Sequence, residues 1–92
     1  MKIGIIGVGA IGGTIARKLA NAGHDVKVAN SRGKEAVKDF AQEINAFPSD
    51  LSEISQDIDI LIISIPYGAV NSLDKSIFEN IIQKIRKSLG EN

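Results

Sequence analysis

Apolar positions along the chain alternate between short runs, typical of buried strands, and spacings of three or four, typical of helices. Strands are predicted at Lys2 to Ile6, His24 to Ala29, Ala46-Phe47 and Ile58 to Ile65. Helices are predicted at Gly12 to Ala22, Lys34 to Ile44, briefly from Ser49 or Asp50 through Ile54, and at Ile77 to Leu89. Such alternation builds a parallel sheet with helices on both faces. The pattern therefore predicts one α/β domain over residues 1–92, a doubly wound and mainly parallel sheet of about four strands.

The fourth predicted strand, Ile58 to Ile65, is apolar on both faces, as parallel strands covered on both sides are. Doubly wound sheets begin with the strand order 3-2-1-4, which places this strand at an edge. An uncovered edge strand pairs readily with another strand. We therefore expect a homodimer with this edge or the C-terminal helix in the interface. The alternative is a monomer whose edge is shielded by loops.

Composition excludes several classes of function. Lys and Arg number 11, as do Asp and Glu, so the formal net charge is zero and no chain-wide basic surface exists for nucleic acid or an anionic membrane. The chain has no cysteine and one histidine, which excludes a disulfide framework, a thiol nucleophile and a Cys- or His-rich metal site. It has neither an apolar run of about 18 residues nor a signal peptide, so we expect a cytoplasmic protein.

The segment from Gly7 to Gly12 follows the pattern G-x-G-x-x-G. It lies between the first predicted strand and the first predicted helix, which is the context that a dinucleotide-binding loop requires. There Gly7 permits a tight turn, Gly9 lets the backbone approach a pyrophosphate, and Gly12 lets the helix pack close to the strand. Free N–H groups at the start of the helix then bind phosphate. The alternative is a glycine turn in an α/β protein without a nucleotide.

The loop after the second predicted strand favours NADP over NAD. NAD-binding domains carry an acid there for the ribose 2′-hydroxyl, whereas this chain has Asn30, and its next carboxylate is Glu35. Ser31 can donate a hydrogen bond to a 2′-phosphate, Arg32 can present its guanidinium fork, and Lys34 adds a charge. A solvated basic loop is the alternative.

Four segments together resemble the NADPH-dependent oxidoreductases related to coenzyme F420:NADP oxidoreductase. They are Gly7-Val8-Gly9-Ala10-Ile11-Gly12, Gly23-His24-Asp25-Val26, Ala29-Asn30-Ser31-Arg32-Gly33 and Ser64-Ile65-Pro66-Tyr67. The resemblance runs from Met1 to about Leu73 and implies a Rossmann-like fold and NADP as the cofactor. It implies contacts of the NADP phosphates with Gly9, Ala10 and Ile11, contacts of the 2′-phosphate with Ser31, Arg32 and Lys34, and a ribose and nicotinamide side lined by Ile65, Pro66 and Tyr67.

The resemblance implies the cofactor-binding part of an enzyme that moves a hydride at nicotinamide, with a hydride partner that the sequence does not identify. Family members usually continue with more sheet and a region for the second substrate, so we expect a sheet truncated relative to six strands, in a natural short form or a fragment. A non-catalytic NADP(H)-binding sensor or regulatory module is the alternative function. An α/β domain without a ligand is the third hypothesis.

Five further side chains have weaker signals, and none is assigned a catalytic role. Tyr67 follows the strand end where α/β ligands bind, and it either packs beside the cofactor or donates a proton. Ser64 can bond a ribose or only the backbone. His24 follows the first helix, at the opposite end, where it complements the helix dipole. Asp57 and Asp59 are expected to be polar residues at the start of the fourth strand.

Overall fold

Strands and helices alternate in the computed structural model, which describes residues 1–65, 73 and 75–79. In chain order the elements are β1 (Lys2–Ile6), α1 (Ala10–Asn21), β2 (Asp25–Ala29), α2 (Lys34–Ile44), β3 (Phe47–Pro48) and β4 (Ile60–Ile63). Residues 75–79 are helical as well. The predicted helix Ile77 to Leu89 is therefore confirmed over its first three residues, and its remainder lies outside the described residues.

The four strands form one sheet in the order β3-β2-β1-β4, and every neighbouring pair is parallel. The central strand is β1, in which Ile6 pairs with Ala29 of β2 on one side and with Ile63 of β4 on the other. This arrangement confirms the predicted α/β fold and its strand order 3-2-1-4. It also brings the carboxyl ends of β1, β2 and β4 to one edge of the sheet.

Hydrophobic clusters cover both faces of the sheet. The first joins β1 and β2 to the two helices, and its buried members are Ile3, Ile5, Ala16, Val26, Val28, Val37, Ala41 and Ile44. The second lies on the opposite face, with buried members Ile6, Ala29, Ile54 and Ile77. Burial on both faces explains why β1 is nearly uninterrupted apolar sequence. The helical residues 75–79 contribute Ile77 to this second cluster.

Helix α1 ends at the glycine that the sequence predicts. Gly23 has a φ of 92°, a left-handed conformation that glycine adopts without steric cost. Its N–H donates to the Ala20 carbonyl at 3.0 Å, and the His24 N–H donates to the Leu19 carbonyl at 3.2 Å. These two bonds form a Schellman motif, which satisfies carbonyls left free at the helix end.

Several predicted boundaries differ from those observed. Helix α1 begins at Ala10 rather than Gly12, because Gly9 is its N-cap. Strand β2 begins at Asp25 rather than His24, whose N–H is used by the cap of α1. Strand β3 lies one residue later than predicted and includes Pro48. Proline has no N–H to donate to a neighbouring strand, and an edge strand such as β3 tolerates this loss.

Strand β4 is shorter than the predicted Ile58 to Ile65, and it begins at Ile60. Immediately before it, the Asp59 carboxylate accepts a bond from the Lys2 N–H at 2.8 Å, and the Asp59 N–H donates to the Lys2 carbonyl at 2.7 Å. Asp59 is therefore a polar residue at the start of β4, as predicted, and its two bonds join that start to β1. Ile60 is 43% exposed, and β4 is an edge of the sheet, as predicted; the homodimer stays a prediction.

The brief helix predicted from Ser49 or Asp50 through Ile54 is wrong, because residues 51–57 form turns. Their backbone bonds join residues three apart, from Glu53 N–H to the Asp50 carbonyl and from Gln56 N–H to the Glu53 carbonyl. The Lys27 ammonium donates to the carbonyls of Glu53 and Gln56 at 3.3 and 2.5 Å. These carbonyls are therefore satisfied without an α-helix. Across the described residues, no helix is both long and apolar enough to cross a membrane.

Candidate functional site

The loop between β1 and α1 needs glycine at its first and last motif positions for steric reasons. Gly7 has a φ of 99°, and a Cβ there would lie 2.1 Å from the Ser64 carbonyl oxygen. A Cβ at Gly12 would lie 2.0 Å from the Gly7 carbonyl oxygen. Both distances are far below van der Waals contact. The two glycines therefore allow the turn and the close packing of α1 that the sequence predicts.

Gly9 differs from Gly7 and Gly12 because no described residue lies where its side chain would be. A Cβ there would meet no atom of the described residues within 4 Å, and its φ of −69° is open to any residue. No contact or backbone strain in the described structure requires glycine at this position. The open space is the property expected of a backbone that a ligand approaches closely.

The start of α1 offers free backbone donors beside that open space. The helical hydrogen bonds begin with Gly13 N–H to the Gly9 carbonyl at 2.8 Å. The N–H groups of Ala10, Ile11 and Gly12 precede that bond and have no acceptor within the helix. The N-cap residue Gly9 has no side chain to cap this end, and the first turn contains no acid. The donors and the positive end of the helix dipole therefore suit an anion.

Ser64 and Ile65 join the glycine loop in one cleft. The Ser64 N–H donates to the Ile6 carbonyl at 2.7 Å, which places the end of β4 beside the end of β1. Together with residues 9–12 they line a cavity of about 410 Å³. The structure thus brings Ser64 and Ile65 to the predicted site. Pro66 and Tyr67 lie outside the described residues.

The loop after β2 is tied to the glycine loop through the backbone. The Gly7 N–H donates to the Ala29 carbonyl at 2.8 Å, at the last residue of β2. Asn30 follows, and its side-chain oxygen accepts the Arg32 N–H at 2.9 Å. The Gly33 N–H donates to the Asn30 carbonyl at 3.3 Å. Residues 30–34, termed the Asn30–Lys34 loop, therefore form a folded turn beside the glycine loop.

The polar side chains of the Asn30–Lys34 loop are directed to solvent. Ser31, Arg32 and Lys34 are exposed. In the part of the chain that the structure describes, neither the Arg32 guanidinium nor the Lys34 ammonium pairs with a carboxylate. With respect to the described residues, both side chains are therefore available to bind an external anion.

Asp50 is a residue at this site that the sequence analysis assigned elsewhere. Its carboxylate Oδ1 accepts the Lys34 N–H at 2.8 Å, at the first residue of α2. The sequence places Asp50 two residues after β3, and the order β3-β2-β1 sets the end of β3 beside the loop that follows β2. The predicted strand order 3-2-1 is therefore the signal that could have identified Asp50 as a residue of this site. Asp50 therefore brings to the loop a carboxylate that the local sequence, in which Glu35 is the next acid after Asn30, does not indicate.

The remaining candidates lie away from this edge. His24 lies at the carboxyl end of α1, as predicted, and Asp57 borders a second cavity of about 250 Å³ at the opposite end of the sheet. That cavity is lined also by Lys2, Asp25, Lys27, Phe47 and Ile58. Among the described residues, no group of three His, Cys, Asp or Glu side chains could hold a metal ion.

A dehydrogenase of known structure has a similar fold. The crystal structure of L-tryptophan dehydrogenase from Nostoc punctiforme superposes with a TM-score of 0.64 and 26% sequence identity. The similarity covers 78% of this chain and 21% of that one, so this chain corresponds to about a fifth of the dehydrogenase. No curated protein matches the chain significantly.

The family model described as NADP oxidoreductase coenzyme F420-dependent matches residues 2–85. That range contains the glycine loop, the Asn30–Lys34 loop and the end of β4. NADP(H) is the cofactor that this family implies, and the open space at Gly9 beside the free donors of α1 suits a dinucleotide. With the Rossmann-like strand order, the matched sequence shows that the chain belongs to the coenzyme F420-dependent NADP oxidoreductase family.

Proposed function

We propose that this domain holds NADP(H) across the glycine loop and the Asn30–Lys34 loop, as the cofactor-binding part of an oxidoreductase that transfers a hydride. The observation that carries the proposal is the open position at Gly9, next to N–H groups that have no acceptor within the helix. The Gly7–Ala29 bond connects this position to a loop with two cations that have no carboxylate partner among the described residues. Family membership and the dehydrogenase-like fold support the same assignment.

The glycine loop is the proposed site of the pyrophosphate. Its oxygens would accept hydrogen bonds from the N–H groups of Ala10 and Ile11, with Gly9 allowing the approach. These contacts use the backbone alone, so they are the same for NADP and NAD. This part of the site therefore supplies affinity without choosing between the two cofactors.

The Asn30–Lys34 loop is the proposed site of the 2′-phosphate. Ser31 would donate its hydroxyl and Arg32 its guanidinium, and Lys34 would add a charge nearby. A hydrogen bond to a charged group contributes about 1.5–3 kcal/mol. We therefore expect the loop to favour NADPH over NADH by roughly one to three decades in affinity.

Ser64 and Ile65 are the proposed lining of the ribose and nicotinamide side, together with Pro66 and Tyr67. The nicotinamide supplies the hydride chemistry when it is bound. The role of these residues is to orient the ring and to hold the ribose through the Ser64 hydroxyl. The description of the family makes coenzyme F420 the hydride partner to test first.

Calorimetric titration of the chain with NADPH and with NADH tests the proposal. We expect NADPH to bind at least about tenfold more tightly, and Arg32→Ala to weaken NADPH binding by roughly ten- to hundredfold with little effect on NADH. Lys38→Ala is the matched control, because Lys38 is an exposed cation of α2 away from the loop. Equal affinities for the two cofactors, or a preference that survives Arg32→Ala, would contradict the assignment of NADP to this loop.

The lining of the cleft supports a second candidate, a non-catalytic NADP(H)-binding sensor or regulatory module. Among the described residues that line it, Ser64 is the one with a polar side chain. A module that only binds NADP(H) needs no further polar side chain in this cleft. Absorbance at 340 nm of the NADPH-loaded chain, followed with and without coenzyme F420, distinguishes the candidates. Oxidation of NADPH that depends on coenzyme F420 would indicate the enzyme and exclude the non-catalytic module.

A further inference from the structure

We infer that Asp50 is a positioning residue for the Asn30–Lys34 loop, and that it thereby helps to set the preference for NADPH over NADH. The inference rests on the proposed function, because it concerns how the loop for the 2′-phosphate is held. Asp50 contacts the loop at the Lys34 N–H, and it is assigned no contact with the cofactor itself. It acts through the backbone of the loop.

Asp50 caps a helix that cannot cap itself. The N-cap of α2 is Gly33, which has a φ of 99° and no side chain to accept a helix N–H. The Asp50 Oδ1 fills this role at 2.8 Å from the Lys34 nitrogen, and it lies 3.8 Å from where a Gly33 Cβ would stand. The carboxylate is therefore seated at the amino end of α2, where a negative charge is favourable.

The position of Asp50 is fixed by the sheet. The preceding residue, Ser49, is buried, and its N–H donates to the Val28 carbonyl of β2 at 2.9 Å. The Asp50 carbonyl accepts the Glu53 N–H at 3.0 Å. The backbone that carries the Asp50 side chain is therefore anchored on both sides, which gives the loop a fixed point of attachment.

The two side-chain acceptors hold opposite halves of the loop. The Asn30 oxygen binds the Arg32 N–H, and the Asp50 oxygen binds the Lys34 N–H. Exposed Ser31 lies within the turn that the Asn30–Arg32 bond closes, and exposed Arg32 lies between that bond and the Lys34–Asp50 bond. A loop fixed before the ligand arrives loses less conformational entropy on binding, which raises affinity. That gain applies to NADPH, whose 2′-phosphate uses the loop, far more than to NADH.

The Asp50 charge has a second consequence. Because a carboxylate already occupies the amino end of α2, a phosphate is directed to the side chains of Ser31 and Arg32 rather than to the helix. The same charge repels the phosphate through space. The hydrogen bond and the charge of Asp50 should therefore act in opposite directions on NADPH affinity.

Two neutral substitutions separate these effects in calorimetric titrations of the chain with NADPH and NADH. Asp50→Asn keeps an oxygen acceptor, since Asn and Asp cap helices about equally well, whereas Asp50→Ala removes it. We expect Asp50→Ala to bind NADPH roughly three- to tenfold more weakly than Asp50→Asn, with NADH changed less than about twofold. Asp50→Asn should bind NADPH at least as tightly as the wild type does. Asp39→Ala, which removes an exposed acid of α2, is the control for net charge.

Each other outcome overturns the inference. Equal NADPH affinities of Asp50→Ala and Asp50→Asn would show that the hydrogen bond does not position the loop. Equal weakening of both cofactors by Asp50→Ala would indicate a general structural role. Loss of NADH affinity in both variants would mean that Asp50 binds the ribose hydroxyls instead. A wild-type chain that binds neither cofactor would instead refute the proposed function, so the two failures are distinguishable.

Discussion

Substitutions at Gly9 and Gly12 should separate cofactor binding from folding, although the two glycines are three positions apart in one loop. A side chain at Gly9 would enter open space, whereas a Cβ at Gly12 would meet the Gly7 carbonyl oxygen at 2.0 Å. The first position therefore faces the proposed ligand, and the second faces the protein. We predict that Gly9→Val strongly weakens dinucleotide binding in a folded chain, and that Gly12→Ala destabilises the fold.

The expected change in stability for Gly9→Val is small. Its φ of −69° and ψ of −163° are extended backbone that valine adopts readily. Valine is a poorer N-cap than glycine, but it also reduces the conformational entropy of the unfolded chain, so the two effects oppose each other. We expect the free energy of unfolding to change by less than about 1 kcal/mol.

The expected change in binding is large. The valine side chain would stand where the pyrophosphate approaches the N–H groups of Ala10 and Ile11. Loss of one such charge-assisted bond costs about 1.5–3 kcal/mol, which corresponds to a loss of roughly ten- to hundredfold in NADPH affinity. NADH should be affected equally, because the pyrophosphate is common to both cofactors.

Gly12→Ala should show the opposite pattern in stability. The added methyl group would also lie 3.0 Å from the Ser64 Cβ, so α1 must move away from the sheet edge. Overpacking of this kind costs about 1–3 kcal/mol in the free energy of unfolding. The measurement is urea denaturation of both variants, followed by calorimetric titration of those that are folded. A folded Gly9→Val chain that retains wild-type NADPH affinity would show that the glycine loop is a turn without a phosphate.

Three further predictions concern assembly and stability. Sedimentation equilibrium in the micromolar range should give the mass of a homodimer, because the β4 edge is unpaired within the described residues. Ile60→Lys should shift the chain towards monomer. A monomer mass for the wild type would indicate that loops shield this edge. Lys27→Met removes the ammonium bonds to the Glu53 and Gln56 carbonyls, so it should lower the free energy of unfolding by about 1 kcal/mol in urea while leaving the ratio of NADPH to NADH affinity unchanged. Gly4→Ala should lower the midpoint of thermal unfolding, because its Cβ would lie 2.8 Å from the Ile54 carbonyl oxygen, which is backbone and cannot rotate away.

The elements that could be predicted from the sequence are those whose apolar pattern has clear limits. β1 and α2 were predicted to the residue, because a run of buried isoleucines ends at Gly7 and a helical stripe begins after Gly33. β4 was predicted too long, since Ile58 is apolar and buried without belonging to the strand. Burial alone therefore does not define a strand. The limits of β4 are set by its backbone hydrogen bonds to β1, and the apolar pattern of the sequence does not show where those bonds begin.

The candidate site likewise contains residues that could be predicted from the sequence and one that could not. Ser64 and Ile65 could be predicted, because the ends of parallel strands meet at one edge of the sheet. Asp50 could not be predicted from local pattern. Its contact with Lys34 spans 16 residues, and it depends on how β3 lies against β2. Locally, Asp50 lies two residues after Pro48, where an Asp favours a helix cap in its own segment, but in the structure its carboxylate caps α2 instead.

The two halves of the proposed site use different kinds of hydrogen-bond donor, one from the backbone and the other from side chains. This difference predicts which substitutions control the choice of cofactor. The pyrophosphate half uses backbone N–H groups, whose positions follow from the close packing of Gly7 and Gly12. The 2′-phosphate half uses the side chains of Ser31 and Arg32, in a loop whose last residue, Lys34, donates its N–H to the Asp50 carboxylate. Changes at Gly9 should therefore alter whether a dinucleotide binds, and changes at Arg32 or Asp50 should alter which one. If both kinds of change shifted NADPH and NADH together, the division of the site into a backbone half and a side-chain half would be wrong.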